Sequence, residues 1–266
     1  MIFTLAAIFF VFGLIIGSFL NVVIYRLNTA KSLGGRSACM SCQNKLFWYE
    51  LIPLISFFTL QGRCRTCKTK ISLQYPLIEL TAGIVFAALF VKFQDLFFLD
   101  IYGFFIAYDY YAAMFSILLV IAAYDIKHKI IPDRLVFFLG LFAFAGLFFF
   151  PGLSFHIPTA LEFFSGVLIA FPFAFIWLVS GGRWMGLGDA KLALGIGWLL
   201  GLPIAASGLV LAFWSGAVVG IALVLFSKIK RTGKLGMKSE IPLAPFLVLG
   251  AFLAFVCELN FFPVSF

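Results

Sequence analysis

Long apolar runs broken by short polar segments dominate this chain. Runs near 3–25, 76–92, 102–123, 135–150, 160–180, 191–203, 205–226 and 243–262 carry very few charges. A helix needs about 20 residues to cross a hydrocarbon core roughly 30 Å thick. The pattern therefore predicts an all-α membrane protein with about eight transmembrane helices. Two runs are short. The 76–92 run opens at Pro76 and carries Glu79. The 191–203 run contains Gly195, Gly197 and Gly201 and stops at Pro203, which predicts a tilted or incomplete crossing. The first run outlasts a signal-peptide core and has no basic stretch before it, so it reads as a retained span.

Composition agrees. Hydrophobic residues make up 64% of the chain and charged ones 11%, against about 25% charged in soluble domains. A single water-soluble core is excluded. The net charge of +8 raises the question of a nucleic-acid partner, and its distribution answers it. With the N-terminus outside, the inner loops are 26–75, 124–134, 181–191 and 227–242. They hold 18 of the 19 Lys and Arg, and only Lys92 falls elsewhere. That asymmetry predicts both termini on the outer side and the basic loops in the cytoplasm, with no nucleic-acid partner. A seven-span version with 191–203 re-entrant puts the charged 227–242 loop on the wrong side. Two domains are expected: 1–75, the first helix with its long loop, and 76–266, the polytopic remainder.

The 50-residue loop at 26–75 is too small for an ordinary core without a staple. It contains "CMSC" and "CRTC", with 21 residues between them. Two CxxC turns place four thiolates around one ion, so Cys39, Cys42, Cys64 and Cys67 are expected to form a structural, zinc-ribbon-like site. Arg63, Arg65, Lys68 and Lys70 favour the thiolate forms. Two disulfides are the alternative, disfavoured in a cytoplasmic loop. Four protein ligands leave no open position for catalysis by the metal. Cys257, in the last run, reads as packing.

Acids are scarce, at 11 in the whole chain. Asp125, in "YDIKHKIIPD", and Asp189, in "MGLGDAKL", come from different spans and lie at the same depth by the topology count. Two carboxylates brought together share one proton, because both cannot ionise cheaply. The ionised member takes a proton from water and the protonated one polarises a carbonyl, which is the logic of aspartic proteases. Gly186 and Gly188 leave room for a substrate strand beside Asp189. The competing reading is local: helix capping, or pairing with Lys127, Lys129 or Lys191. Acids at membrane depth are functional by default hypothesis.

Six blocks together carry a resemblance: "GSFLNVVIYRL" (17–27), the two CxxC pairs, "YPLIELTAG" (75–83), "YDIKHKIIPD" (124–133), "MGLGDAKL" (185–192) and "PLAPFL" (242–247). In this order they resemble the type IV prepilin peptidases, membrane aspartic peptidases with a GxGD motif. The chain departs from the usual pattern at Leu51 and Asn28. The resemblance implies a bifunctional enzyme of the bacterial inner membrane, serving type IV pilus assembly, type II secretion or competence. It would cut the basic leader of prepilins or pseudopilins after a glycine, with its active site facing the cytoplasm. It would then methylate the new N-terminal residue using S-adenosylmethionine. Asp125 and Asp189 match the family's catalytic pair, Asp133 a positioning element, and Lys191 follows the motif as in the family. Methyl transfer is assigned by resemblance to the region of the cysteine loop. Glu79 is then a candidate to bind the substrate amine or take its proton; its bland reading is a first-turn acid after Pro76.

The leader's positive charge needs negative partners, and Glu50, Asp133 and anionic lipid are the expected ones. Two other classes remain in view. A proton-coupled transporter predicts acids near mid-span, where only Asp109 qualifies. A structural subunit of a secretion apparatus would use the tetracysteine loop for docking and has no need of Asp125 and Asp189 together.

Overall fold

The structure is a computed structural model that describes residues 1–29, 34–149, 155–229 and 242–262. Most of the basic 227–242 segment lies outside the described residues. The helices are α1 (Ile2–Arg26), α2 (Ile55–Thr59), α3 (Gln74–Lys92), α4 (Gln94–Leu99), α5 (Ile101–His128), α6 (Asp133–Gly146), α7 (Ala160–Ser180), α8 (Leu187–Leu200), α9 (Leu202–Ile229) and α10 (Ala244–Val256). Among the described residues there is no β-sheet, only two isolated bridges.

Each of the eight apolar runs is a helix. Five of them, α1, α3, α5, α7 and α9, are long and apolar enough to cross a membrane. The other three differ from expectation. The α6, α8 and α10 helices have 14, 14 and 13 residues. At a rise of 1.5 Å per residue each reaches only about 20 Å. Turn chemistry explains part of this: α8 stops at Gly201, whose φ of +74° suits glycine, and α9 starts at once with Pro203 in its first turn. The α7 helix is bounded from its own sequence. Thr159 and Glu162 form a capping box at its start, and Gly181 closes it in the left-handed conformation.

The chain forms two compact units, Met1–Val120 and Ile121–Phe266. In the first, α1 and α3 run antiparallel at very close approach. A side chain on Gly13 would meet Ala82 O at 2.7 Å, and one on Gly17 would meet Glu79 Cα at 2.7 Å. Small residues let two backbones touch where lipid offers no hydrophobic drive. At the other end of this pair Phe9 stacks on Phe90 at 4.7 Å and touches Phe104 and Tyr108.

In the second unit α8 is the central helix, packed against α6, α7, α9 and α10. A side chain on Gly197 would stand 2.7 Å from Gly166 Cα of α7. Ser165 Oγ donates to Gly197 O at 3.0 Å, and Trp198 Nε1 to Phe163 O at 2.9 Å. The first turn of α8 carries Asp189, so this packing also fixes an acid.

Candidate active site

Asp125 lies in the last turn of α5 and is only 5% exposed. Its Oδ2 accepts the backbone N–H of Ala244, the first residue of α10, at 3.3 Å. A carboxylate at a helix N-terminus meets unpaired N–H groups and the positive end of the helix dipole. Asp189 sits ahead of the apolar part of α8, outside the five long spans. Its carboxyl is pushed up to about 6, first by burial and then by the Asp125 carboxylate beside it. Asp125 on α5 is thus near enough to Asp189 on α8 to act on its charge. Asp189 is not paired with lysine: Lys191 Nζ instead binds Asp133 Oδ1 at 2.6 Å.

The two glycines before Asp189 differ in purpose. A side chain on Gly186 would meet nothing closer than 3.9 Å, so the backbone there is open to an incoming strand. One on Gly188 would strike Ile131 Cβ at 2.9 Å. Gly188 is therefore small for packing, not for access.

The four cysteines expected to bind metal converge. Their sulfurs lie within 4.8 Å of one another, and none is in a disulfide. Cys39 Sγ and Cys67 Sγ are 3.7 Å apart. Zinc–sulfur bonds of about 2.3 Å in a tetrahedron give an edge of about 3.8 Å, so the donor set fits zinc. Each knuckle is a tight turn that reverses just after its second cysteine, at Gln43 (φ +56°) and Lys68 (φ +58°). Asn44 Nδ2 ties one knuckle to the other through Thr66 Oγ1 at 2.8 Å. Hydrogen bonds from the Thr69 hydroxyl and N–H bring the Cys67 thiol down to about 6. Backbone N–H groups of Cys42 and Ser41 lower Cys39 likewise. At Cys42 the Asn44 N–H favours the thiolate, but burial and the neighbouring sulfurs outweigh it and lift the thiol to about 11. Four thiolates cannot coexist there without a dication between them. Cys257 differs from expectation: it is the exposed C-cap of α10.

Glu79, on α3, is 7% exposed. Its Oε2 accepts the N–H of Leu54 at 2.9 Å, and the Ser18 hydroxyl also bonds to it. It is not a first-turn cap. It lines a cavity of about 670 Å³ enclosed by α1, α3 and the tetracysteine loop, within the usual range of roughly 300–1,000 Å³ for ligand sites. Asn21 and Tyr75 line it too. Asn21 was not singled out by sequence reasoning; the lone amide inside the first apolar run was the available signal. The acids expected to receive a basic leader are engaged locally. Glu50 Oε2 takes the Phe47 N–H at 2.8 Å, and Asp133 holds Lys191. Asp109 is exposed on α5.

Fold and site describe an all-helical membrane protein in which Asp125 acts on the charge of Asp189 and four cysteines converge in a set that fits a metal. Residues 11–93 match the family model of the bacterial peptidase A24 N-terminal domain, and residues 112–221 that of the type IV leader peptidase family. The chain is 32% identical over 259 residues to the prepilin leader peptidase/N-methyltransferase of Bacillus subtilis (strain 168), covering 94% of this chain and 93% of that one. It is 32% identical to that of Myxococcus xanthus (strain DK1622), covering 88% and 66%, and 31% identical to that of Vibrio cholerae, covering 73% and 77%. No solved structure matches. The chain belongs to the type IV leader peptidase family.

Proposed function

We propose that the chain is a multi-pass protein of the bacterial inner membrane that removes the basic leader of prepilins or pseudopilins and then N-methylates the new N-terminal residue. Asp125 and Asp189 are the catalytic pair. With one proton between them, the ionised carboxylate accepts a proton from water as its oxygen attacks the scissile carbonyl carbon. The protonated carboxyl donates to the carbonyl oxygen, and collapse of the tetrahedral adduct passes a proton to the leaving amine. The observation that supports this reading is the raised Asp189 carboxyl, pushed toward neutrality first by its burial and then by the Asp125 carboxylate. Gly186 leaves the approach open beside them.

Both termini are periplasmic in this reading and the acids face the cytoplasm, which the distribution of 18 of 19 basic residues supports. Residues 1–75 serve methyl transfer and 76–266 hold the peptidase, with Glu79 reaching into the former from α3. S-adenosylmethionine supplies an electrophilic methyl group when bound. The chain's own part is to orient the amine and to take its proton, a task suited to the buried Glu79 carboxylate. Zinc closes the tetracysteine loop and so fixes one wall of the cavity.

The deciding experiment is cleavage of a purified prepilin by Asp125→Asn and Asp189→Asn. Each variant is expected to lose at least about a thousandfold, since neither acid can replace the other. Cleavage near the wild-type rate in either variant would end the dyad reading.

A further inference from the structure

We propose that the cavity between α1, α3 and the tetracysteine loop is a receptor for a primary α-ammonium group, held by Asn21 Oδ1 together with the Glu79 carboxylate. The proposal rests on the methyl-transfer reading and deepens it. Asn21 is only 1% exposed and lines the cavity. Its Nδ2 donates to Gly17 O at 3.3 Å and to Tyr75 O at 3.1 Å. Both neighbours are carbonyls, so the amide cannot be turned over without setting oxygen against oxygen. Its Oδ1 is then left buried with no donor. A buried acceptor without a partner is costly, and proteins keep one where something else completes it.

Glu79 stands one turn of α3 beyond Tyr75, the residue whose carbonyl holds Asn21. It receives the Leu54 N–H and the Ser18 hydroxyl, both neutral. No cation is bonded to it among the described residues. Leu54 donates from a backbone at φ +57°, which a leucine adopts only under constraint. The fold therefore spends local strain to hold this carboxylate in place. One amide oxygen and one carboxylate on facing helices ask for a donor with several N–H bonds and a positive charge. A water or hydroxyl satisfies the amide and leaves the carboxylate unpaired. An ammonium, with three N–H bonds, satisfies both.

Two molecules of the proposed reaction carry such a group: the trimmed chain at its new N-terminus, and the amino-acid end of S-adenosylmethionine. Binding to the detergent-purified full chain separates them. The probes are a short peptide with a free N-terminal phenylalanine, its N-acetylated form, S-adenosylhomocysteine and its N-acetylated form. Acetylation is expected to weaken one pair of probes by at least about tenfold, which names the source. Asn21→Leu and Glu79→Gln lose that discrimination, while Asn21→Asp, which retains an acceptor, keeps it. Zinc content and melting temperature verify that each variant is folded. If acetylation matters for neither pair, or if folded Asn21→Leu discriminates as wild type does, the ammonium receptor is overturned. Should the wild type bind these probes yet methylate no trimmed chain, the methyl-transfer reading falls separately.

Discussion

Lys191 Nζ lies 2.6 Å from Asp133 Oδ1, although Asp189 stands just two residues before it. The ion pair joins the first turn of α6 to the second turn of α8 and leaves Asp189 under the influence of Asp125 rather than of this lysine. Both partners are exposed, at 44% and 76%, so the pair is worth at most about 1 kcal/mol. Lys191→Met is therefore expected to change stability little and to lower cleavage a few-fold through a looser α8 start. The pH midpoint of cleavage is expected to move by less than about half a unit, since exposed charges couple weakly. A larger displacement would mean that Lys191 serves Asp189 after all.

The raised Asp189 has a definite signature in stability. Its carboxyl holds a proton up to about 6 in the folded chain, whereas the unfolded chain releases it near the ordinary value of 3.8. Between those values the native state binds more protons, so stability falls as pH rises. The contribution is complete below the ordinary value and gone once pH has passed through about 6. Asp125→Asn removes the second cause of the rise but leaves burial, so the window narrows toward lower pH without closing. Melting temperature in detergent against pH, compared among wild type, Asp125→Asn and Asp189→Asn, reads this directly. Identical profiles for wild type and Asp189→Asn would refute it.

At the metal loop, Thr69 acts through Cys67. Its hydroxyl lies 3.2 Å from the Cys67 sulfur and favours the thiolate. Thr69→Val is expected to keep about one zinc per chain but weaken it by roughly 10–100-fold in competition with a chelator, as loss of a ligand's hydrogen-bond partner does. Cys42→Ser is expected to lose the metal and expose residues 34–73 to protease. Metal content measured after dialysis against chelator distinguishes the two, and full zinc retention in Cys42→Ser would reject the four-sulfur site.

Much of this was legible in the sequence because the bilayer imposes simple rules. Eight apolar runs became eight helices, and the CxxC spacing placed four sulfurs together. Asp125 and Asp189 stood out because acids are rare here. What stayed hidden depends on which helix meets which. Asn21 is explained by a carbonyl 54 residues away, and Asp125 by a backbone N–H 119 residues away. Backbone groups leave no mark in residue identity. Helix length was misjudged for the same reason: α6, α8 and α10 end where packing and turns stop them, not where apolar residues do.

Gly197 carries the clearest packing prediction. In sequence it is one of three glycines in a short apolar run, read there as a sign of an incomplete span. In the structure it is where α8 lies against α7. A Cβ added there would stand 2.7 Å from Gly166 Cα and 2.9 Å from Ser165 O, both backbone atoms that cannot swing aside. Gly197→Ala must push the helices apart, stretching the Ser165 and Trp198 hydrogen bonds that join them. Overpacking of this kind costs about 1–3 kcal/mol. Because α8 also carries Asp189, cleavage is expected to fall roughly tenfold with the lost alignment. Gly140→Ala, in α6, is the matched control: nothing lies within 4 Å of its added carbon. Alanine's better helix propensity makes that change neutral or stabilising by up to about 1 kcal/mol. Melting temperature and prepilin cleavage for the two variants test the account, and equal behaviour of both would show that the contact between α7 and α8 does not position the acid.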